Sequence, residues 1–212
     1  MALTFLPRSP HLKLACAKLH DVPELVSLWY RVFESPDIRA LWPDTPGVRQ
    51  WWDATIRHDM LGRPQEKYLK VVDTAQRGGG SIVAWMKWSL QTAEERGPRY
   101  IPWHQDMDVR RNAAFFEEIE KSRDRLVGGG RYNFYADMLA VQPEYRKLGL
   151  GLALMKWGCA EADVEKVPIY LDGTEAGSRV FTKLGFVSHG MTMGLNSMVR
   201  EPENLGAPST KL

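Results

Sequence analysis

Apolar residues recur along this chain in two rhythms. From Leu12 to Lys18 they fall at alternate positions, which predicts a strand. From Asp21 the spacing becomes helical, with Leu25, Leu28, Trp29 and Phe33 on one face. Asp21 is placed to cap that helix, Pro23 falls in its first turn, Glu24 completes a capping box, and Ser35-Pro36 ends it. A second helix begins near Asp44 or Thr45 and carries Val48, Trp51, Trp52, Ile56 and Met60. Tyr68 to Val72 reads as a strand, Gly78-Gly79-Gly80 as a turn, and Ser81 to Leu90 as the returning strand of a hairpin.

Between Gln91 and Gly130 the composition shifts. Gly97-Pro98 and Pro102 precede a charged helix from near Asp106 to Leu126, closed by Gly128-Gly129-Gly130. Roughly forty residues make a poor core, so 91–130 reads as a loop-plus-helix insertion and not a separate domain. Asn133 to Val141 is the next strand, stopped by Pro143. Leu148 to Val164 is a helix with Leu148, Leu152, Met155, Cys159 and Ala162 as its apolar stripe. Pro168 to Leu171 is a short strand, Glu175 to Leu184 a helix ended by Gly185, and Phe186 opens a last strand or hairpin. Residues 1–200 are expected to form a single domain, and 201–212, with Pro202, Gly206 and Pro208, a loose tail. The alternation of strand and helix in the second half predicts an α/β sheet with helices on its faces.

Charge narrows the partners. The 212 residues hold 28 Lys and Arg against 26 Asp and Glu, a net charge of +2 that gives no support to a nucleic-acid partner. The two cysteines, Cys16 and Cys159, lack Cys-x-x-Cys spacing, which excludes a disulfide framework and a thiolate zinc site. His58, His104 and His189 show no ligand spacing, so no metal is expected. No apolar run approaches the roughly 20 residues that cross a bilayer, and the N-terminus lacks a basic start. A cytoplasmic chain, with a nuclear location also open, and without a membrane partner is expected. The pattern leaves monomer and homodimer equally open.

The most informative stretch joins the strand ending at Val141 to the helix near Leu148. It reads Gln142-Pro143-Glu144-Tyr145-Arg146-Lys147-Leu148-Gly149-Leu150-Gly151. The first N–H groups of a helix have no internal partner, and the helix dipole adds positive charge there, so the turn suits a pyrophosphate. Gly149 and Gly151 let backbone approach phosphate without a Cβ in the way. Arg146 and Lys147 add charge at the mouth. Leu154 stands where a dinucleotide fold needs a third glycine, and no Gly-Lys-Ser/Thr follows, so neither a Rossmann turn nor a P-loop fits. A helix-terminal turn by itself also fits another phosphate ligand.

Leu139-x-Val141 followed by Arg146-x-x-Gly149-x-Gly151 resembles the coenzyme A motif of the GCN5-related N-acetyltransferase superfamily. Downstream, Ile169 to Phe186, with its Leu184-Gly185-Phe186 ending, resembles the late strand and helix of the same family. The specific match covers about residues 133 to 189. It implies one mixed, twisted sheet of about six to seven strands with helices on both faces. It implies acetyl-CoA, or a related acyl-CoA, as co-substrate. By the same resemblance, Leu139, Ala140 and Val141 pair with the pantetheine arm. Arg146, Lys147, Leu148, Gly149, Leu150, Gly151 and Leu152 form the pyrophosphate turn, and Thr174 bonds the coenzyme.

The resemblance implies direct attack of an amine on the thioester, with a strand N–H near Val141 serving the oxyanion. Asp137 and Tyr135 stand where such enzymes place a base, and Asp137 is the stronger choice. Strict alternation sets Tyr135, Asp137, Leu139 and Val141 on one side of the strand. Phe181 stands where these enzymes commonly carry the Tyr that protonates the thiolate. A non-catalytic acyl-CoA-binding sensor of the same fold therefore stays open, as does a longer acyl donor. The acceptor is a small-molecule amine, slightly favoured, or a lysine side chain. Its pocket is expected from the first two helices and the insertion, with Trp51, Trp52, Trp85, Trp88, Trp103 and Tyr132 as core or pocket aromatics.

Overall fold

The computed structural model describes residues 4–6, 9–76, 80–90, 97–128 and 130–203. Gly78 and Gly79 of the expected turn, and the tail beyond 203, lie outside them. The strands are β1 Thr4–Leu6, β2 Ser9–Cys16, β3 Glu66–Asp73, β4 Ser81–Leu90, β5 Phe134–Val141, β6 Ile169–Gly173, β7 Val187–Thr192 and β8 Leu195–Arg200. They form one mixed sheet in the order β1-β2-β3-β4-β5-β6-β8-β7. Only the β5–β6 pair is parallel. The count among the described residues is eight, because a three-residue edge strand precedes β2 and the C-terminal hairpin supplies two.

The helices are α1 Val22–Val32, α2 Pro36–Leu41, α3 Pro46–Gly62, α4 Val109–Val127, α5 Leu150–Glu165 and α6 Glu175–Thr182. They cover both faces of the sheet. On one face α5 and Phe181 of α6 pack a core with Leu69, Val71, Met86, Trp88, Phe134 and Leu171. On the other, α1, α2, α3 and α4 enclose a second core with Trp29, Trp42, Trp51, Trp52, Trp85 and Phe116. Burial of these large side chains stabilises the fold by about 1.5–3 kcal/mol each.

Local chemistry explains most boundaries. The Thr45 hydroxyl accepts from the Val48 N–H (3.2 Å) and starts α3. Asp108 accepts from the Arg111 N–H (3.0 Å) and starts α4. Ser35-Pro36 ends α1 as expected, but also opens α2, because proline suits the first helical position. Asp21 and Glu24 do not form the expected capping box. Asp21 accepts from the Lys18 N–H (2.6 Å) and Lys70 (2.6 Å), and Glu24 accepts from the Ile82 N–H (2.7 Å), so both tie α1 to strands.

Two glycines matter to the fold. Gly158 faces the indole of Trp88 so closely that an added Cβ would stand 2.2 Å from the ring, which lets α5 lie close on the sheet. Gly149 has φ +82°, a left-handed conformation that ends the loop and begins α5. Because α5 starts at Leu150, its buried stripe is Leu150, Leu154, Met155, Cys159 and Ala162. The expected first member, Leu148, is 54% exposed.

Candidate functional site

The site is organised by one extra residue in β5. Lys87 pairs with Met138 and Trp88 with Ala136, which leaves Asp137 as a bulge. The strict alternation expected of this strand therefore fails. Leu139 and Val141 pack toward the α5 core. Asp137 faces the opposite side, where it meets Lys87 and Arg99, and Tyr135 lies under the Arg99 guanidinium on that same side.

Beyond the bulge β5 also loses its neighbour. The β5–β6 pairing runs only from Phe134–Ile169 to Ala136–Leu171, after which the strands part. The Gln142 N–H donates to the Val83 carbonyl on β4 (2.9 Å). Backbone direction alternates along a strand, so the N–H groups of Leu139 and Val141 face the other way, into the gap where β6 has departed. Ala140, between them, turns its backbone to β4 and its side chain into the second core.

The gap leads to the N-terminus of α5. The turn Arg146-Lys147-Leu148-Gly149 is exposed. Tyr145 anchors it by donating to Asp73 (2.7 Å), while Gln76 donates to the Tyr145 oxygen (2.6 Å). The first helical bond runs from the Ala153 N–H to the Gly149 carbonyl (2.9 Å). The amides of Leu150, Gly151 and Leu152 lie ahead of it and have no backbone acceptor among the described residues. At Gly151 an added Cβ would sit in ordinary contact with Leu139 (3.5 Å) and Val141 (3.7 Å), that is, at the edge of the gap. The fold tolerates a side chain there. The Thr174 hydroxyl accepts from the Gly177 N–H (3.3 Å) and caps α6, so its own proton remains available to donate.

On the α1–α4 side the gap opens into a cleft of about 220 Å³. Trp29, Phe33, Ile38, Trp42, Phe115 and Phe116 make its wall, and Tyr135, Asp137, Asp172 and Phe181 line its floor. Of the aromatics singled out from the sequence, Trp51, Trp52, Trp85 and Trp88 are buried core residues, and Tyr132 is exposed. Trp103 lines a more open neighbouring pocket with Arg99 and Glu120. Trp29 and Trp42 hold the places by the cleft.

Asp137 has a side chain only 1% exposed, and Lys87 stands 3.2 Å from it. Lys87 also contacts Asp59 (2.8 Å) and Glu66 (3.3 Å). Burial alone would favour the neutral amine, but Tyr68, Glu66, Asp137 and Asp59 outweigh it and raise the Lys87 pKa well above the ordinary lysine range. A lone lysine inside an otherwise apolar strand was the sequence signal for this cluster. Arg99 bridges Asp137 and Glu120 (3.6 Å). Burial pushes Tyr135 well above the usual phenol range, so it is a hydroxyl donor at neutral pH.

The residue that sequence reasoning missed is Asp172, one position past the last β5–β6 pair. It accepts from Tyr170 (2.8 Å), Ser197 (2.9 Å) and Tyr135 (3.4 Å). Burial pushes its carboxyl up to about 6, against the opposing pull of those hydroxyls and the Arg99 charge. An acidic residue at the C-terminal end of a strand, where sheet neighbours part, was the available signal.

A parted strand pair therefore stands beside an open helix N-terminus. The family model described as Acetyltransferase (GNAT) family matches residues 80–186. The chain belongs to that family. Solved structures share the GNAT fold along nearly the whole chain. A mosquito arylalkylamine N-acetyltransferase like 5b is 13% identical with TM-score 0.62, covering 90% of this chain and 99% of that one. A Corynebacterium glutamicum protein described as histone acetyltransferase HPA2 and related acetyltransferase is 17% identical with TM-score 0.56, covering 92% and 97%. The PaiA N-acetyltransferase of Thermoplasma acidophilum, in complex with coenzyme A, is 10% identical with TM-score 0.55, covering 90% and 98%. At these identities the likeness establishes the fold. Among curated proteins, no sequence matches this GNAT chain. Among the described residues no helix is long and apolar enough to cross a membrane.

Proposed function

We propose that this chain transfers the acetyl group of acetyl-CoA to the nitrogen of a small primary amine. The observation that carries the reading is the gap between β5 and β6, lined by the outward amides of Leu139 and Val141 and ending at the amides of Leu150, Gly151 and Leu152. A pantetheine arm lies along the first pair, and a pyrophosphate meets the second set. Arg146 and Lys147 add charge at the mouth, and Thr174 donates its hydroxyl to the coenzyme from the opposite rim.

Acetyl-CoA supplies a thioester carbonyl that accepts the amine nitrogen and a sulfur that departs as thiolate. A β5 N–H facing the gap, at Val141 or Leu139, stabilises charge on the carbonyl oxygen. Asp137, engaged by Lys87 and Arg99, is suited to fixing those cations at the cleft floor more than to moving a proton. Tyr135 donates a hydrogen bond toward Asp172. The enclosed, aromatic cleft favours a small amine over a lysine presented by a protein surface.

The test is calorimetric titration with acetyl-CoA, then thiol release with a panel of amines. Binding followed by amine-dependent thiol release is the expected result. Phe181 favours a second reading, an acyl-CoA-binding sensor, because its ring has no proton for the thiolate. Tight coenzyme binding without thiol release across the panel would select that second reading.

A further inference from the structure

The acetyl-transfer reading leaves the acceptor unnamed and Asp172 without a task. Asp172 stands where β6 leaves β5 and is one of the residues that line the cleft. Its neighbours come from several elements: Tyr135 on β5, Tyr170 on its own strand, Ser197 on β8, and Arg99 from the segment before α4. Ser197 in turn meets Ser122 of α4 and Thr192 of β7. Asp137, the other carboxylate on the cleft floor, is ion-paired to Lys87 and Arg99. Asp172 makes no such pair among the described residues; its partners are hydroxyls. The opposite wall, built from Trp29, Phe33, Trp42, Phe115 and Phe116, is apolar.

An ammonium entering such a cleft loses water, which is costly unless a carboxylate receives it. An aromatic wall rewards the apolar part of a ligand by burying it. We propose that the acceptor is a primary amine carrying an aromatic or bulky apolar group, that the wall takes that group, and that Asp172 receives the ammonium and removes its proton. This rests on the acetyl-transfer reading and names the acceptor of that same site.

The protons balance. The ammonium gives one proton to the Asp172 carboxylate, and the neutral nitrogen bonds to the thioester carbon as the C–S bond breaks. The second proton lost from nitrogen goes to the thiolate, and Asp172 returns its own to water. Net products are the amide, the free thiol and one proton. A carboxyl raised to about 6 by burial is a stronger base than an ordinary Asp, which suits the task.

The experiment uses the full chain with acetyl-CoA and three amines: phenylethylamine, diaminobutane and Nα-acetyl-lysine amide. Thiol release is followed from pH 5 to 9, and acetyl-CoA binding is measured by calorimetry. Phenylethylamine is expected to show kcat/KM at least about tenfold above the other two. Its kcat is expected to fall as pH drops through about 6. Asp172→Asn is expected to lower kcat about a hundredfold, to abolish that acid limb, and to leave acetyl-CoA affinity within about twofold. Phe33→Ala, which only trims the wall, is expected to raise KM for phenylethylamine about fivefold with little change for diaminobutane. Preference for diaminobutane or the lysine amide, or an unchanged pH profile in Asp172→Asn, overturns this inference while acetyl transfer stands. Failure of acetyl-CoA to bind overturns the acetyl-transfer reading itself, and this inference with it.

Discussion

Asp137 and Lys87 meet at 3.2 Å across the β4–β5 pair, at the point where β5 carries its extra residue. The contact fills the space that the bulge creates and ties the cleft floor to Asp59 and Glu66. Removing one charge from a buried pair usually costs about 3–5 kcal/mol. Here Lys87 keeps two other carboxylates and Arg99 keeps Glu120, so Asp137→Asn is expected to cost about 1–3 kcal/mol, read by urea unfolding at pH 7. Acetyl-CoA affinity should change little, because the Asp137 side chain is engaged by Lys87 and Arg99 and lies on the opposite face from Leu139 and Val141. A stability equal to the parent would show that this ion pair does not hold the bulge.

The α5 turn makes the next prediction. Gly149→Glu places a carboxylate at the mouth of the proposed pyrophosphate site, where nothing lies within 4 Å of an added Cβ. The left-handed φ adds strain of about 1–2 kcal/mol. Acetyl-CoA binding is expected to weaken at least about tenfold in calorimetry, with the variant still folded. An unchanged dissociation constant would remove the phosphate site from this turn.

Asp172 links activity to stability with a definite sign. Its folded pKa of about 6 lies above its ordinary value of 3.8, so the folded chain holds this proton more tightly than the unfolded one. That contribution is complete below pH 4 and is lost as pH rises through about 6. At pH 8 the buried charge is a burden of up to about 3 kcal/mol. Asp172→Asn is therefore expected to unfold at higher temperature than the parent at pH 8, with the gain fading toward pH 4. Scanning calorimetry at the two pH values checks it; a loss of stability at pH 8 would contradict the raised pKa.

Phe181 packs its ring against Gly173 and Gly177 on the cleft floor. Phe181→Tyr adds one hydroxyl at that floor without removing the ring. If thiolate protonation limits turnover, kcat rises at least about tenfold while acetyl-CoA affinity is preserved. Single-turnover kinetics of thiol release read this step directly. An unchanged rate would mean that water already serves the sulfur.

The turn between β5 and α5 was legible in the sequence because glycines mark its backbone. Gly149 and Gly151 announce a turn whose amides are proposed to meet the pyrophosphate, and the proposed contacts of Leu139 and Val141 use main chain whatever their side chains do. The acceptor side was less legible. A bulge leaves no mark in the residue pattern, so alternation wrongly joined Asp137 to Leu139. Trp51 and Trp52 stand together in the sequence, yet Trp29 of α1 and Trp42, just after α2, line the cleft. Arg99 reaches Asp137 across 38 positions of chain, and no local pattern reports such a contact.

The bulge also divides the strand's inheritance. On the proposed function, Tyr135 before it faces the acceptor cleft, and the amides of Leu139 and Val141 after it face the coenzyme. On that reading, a substitution at Tyr135 would alter the cleft and leave the backbone amides of Leu139 and Val141 in place. Deleting residue 137 would leave a regular ladder, with Ala136 and Met138 still opposite Trp88 and Lys87, and would remove the carboxylate that Lys87 and Arg99 share.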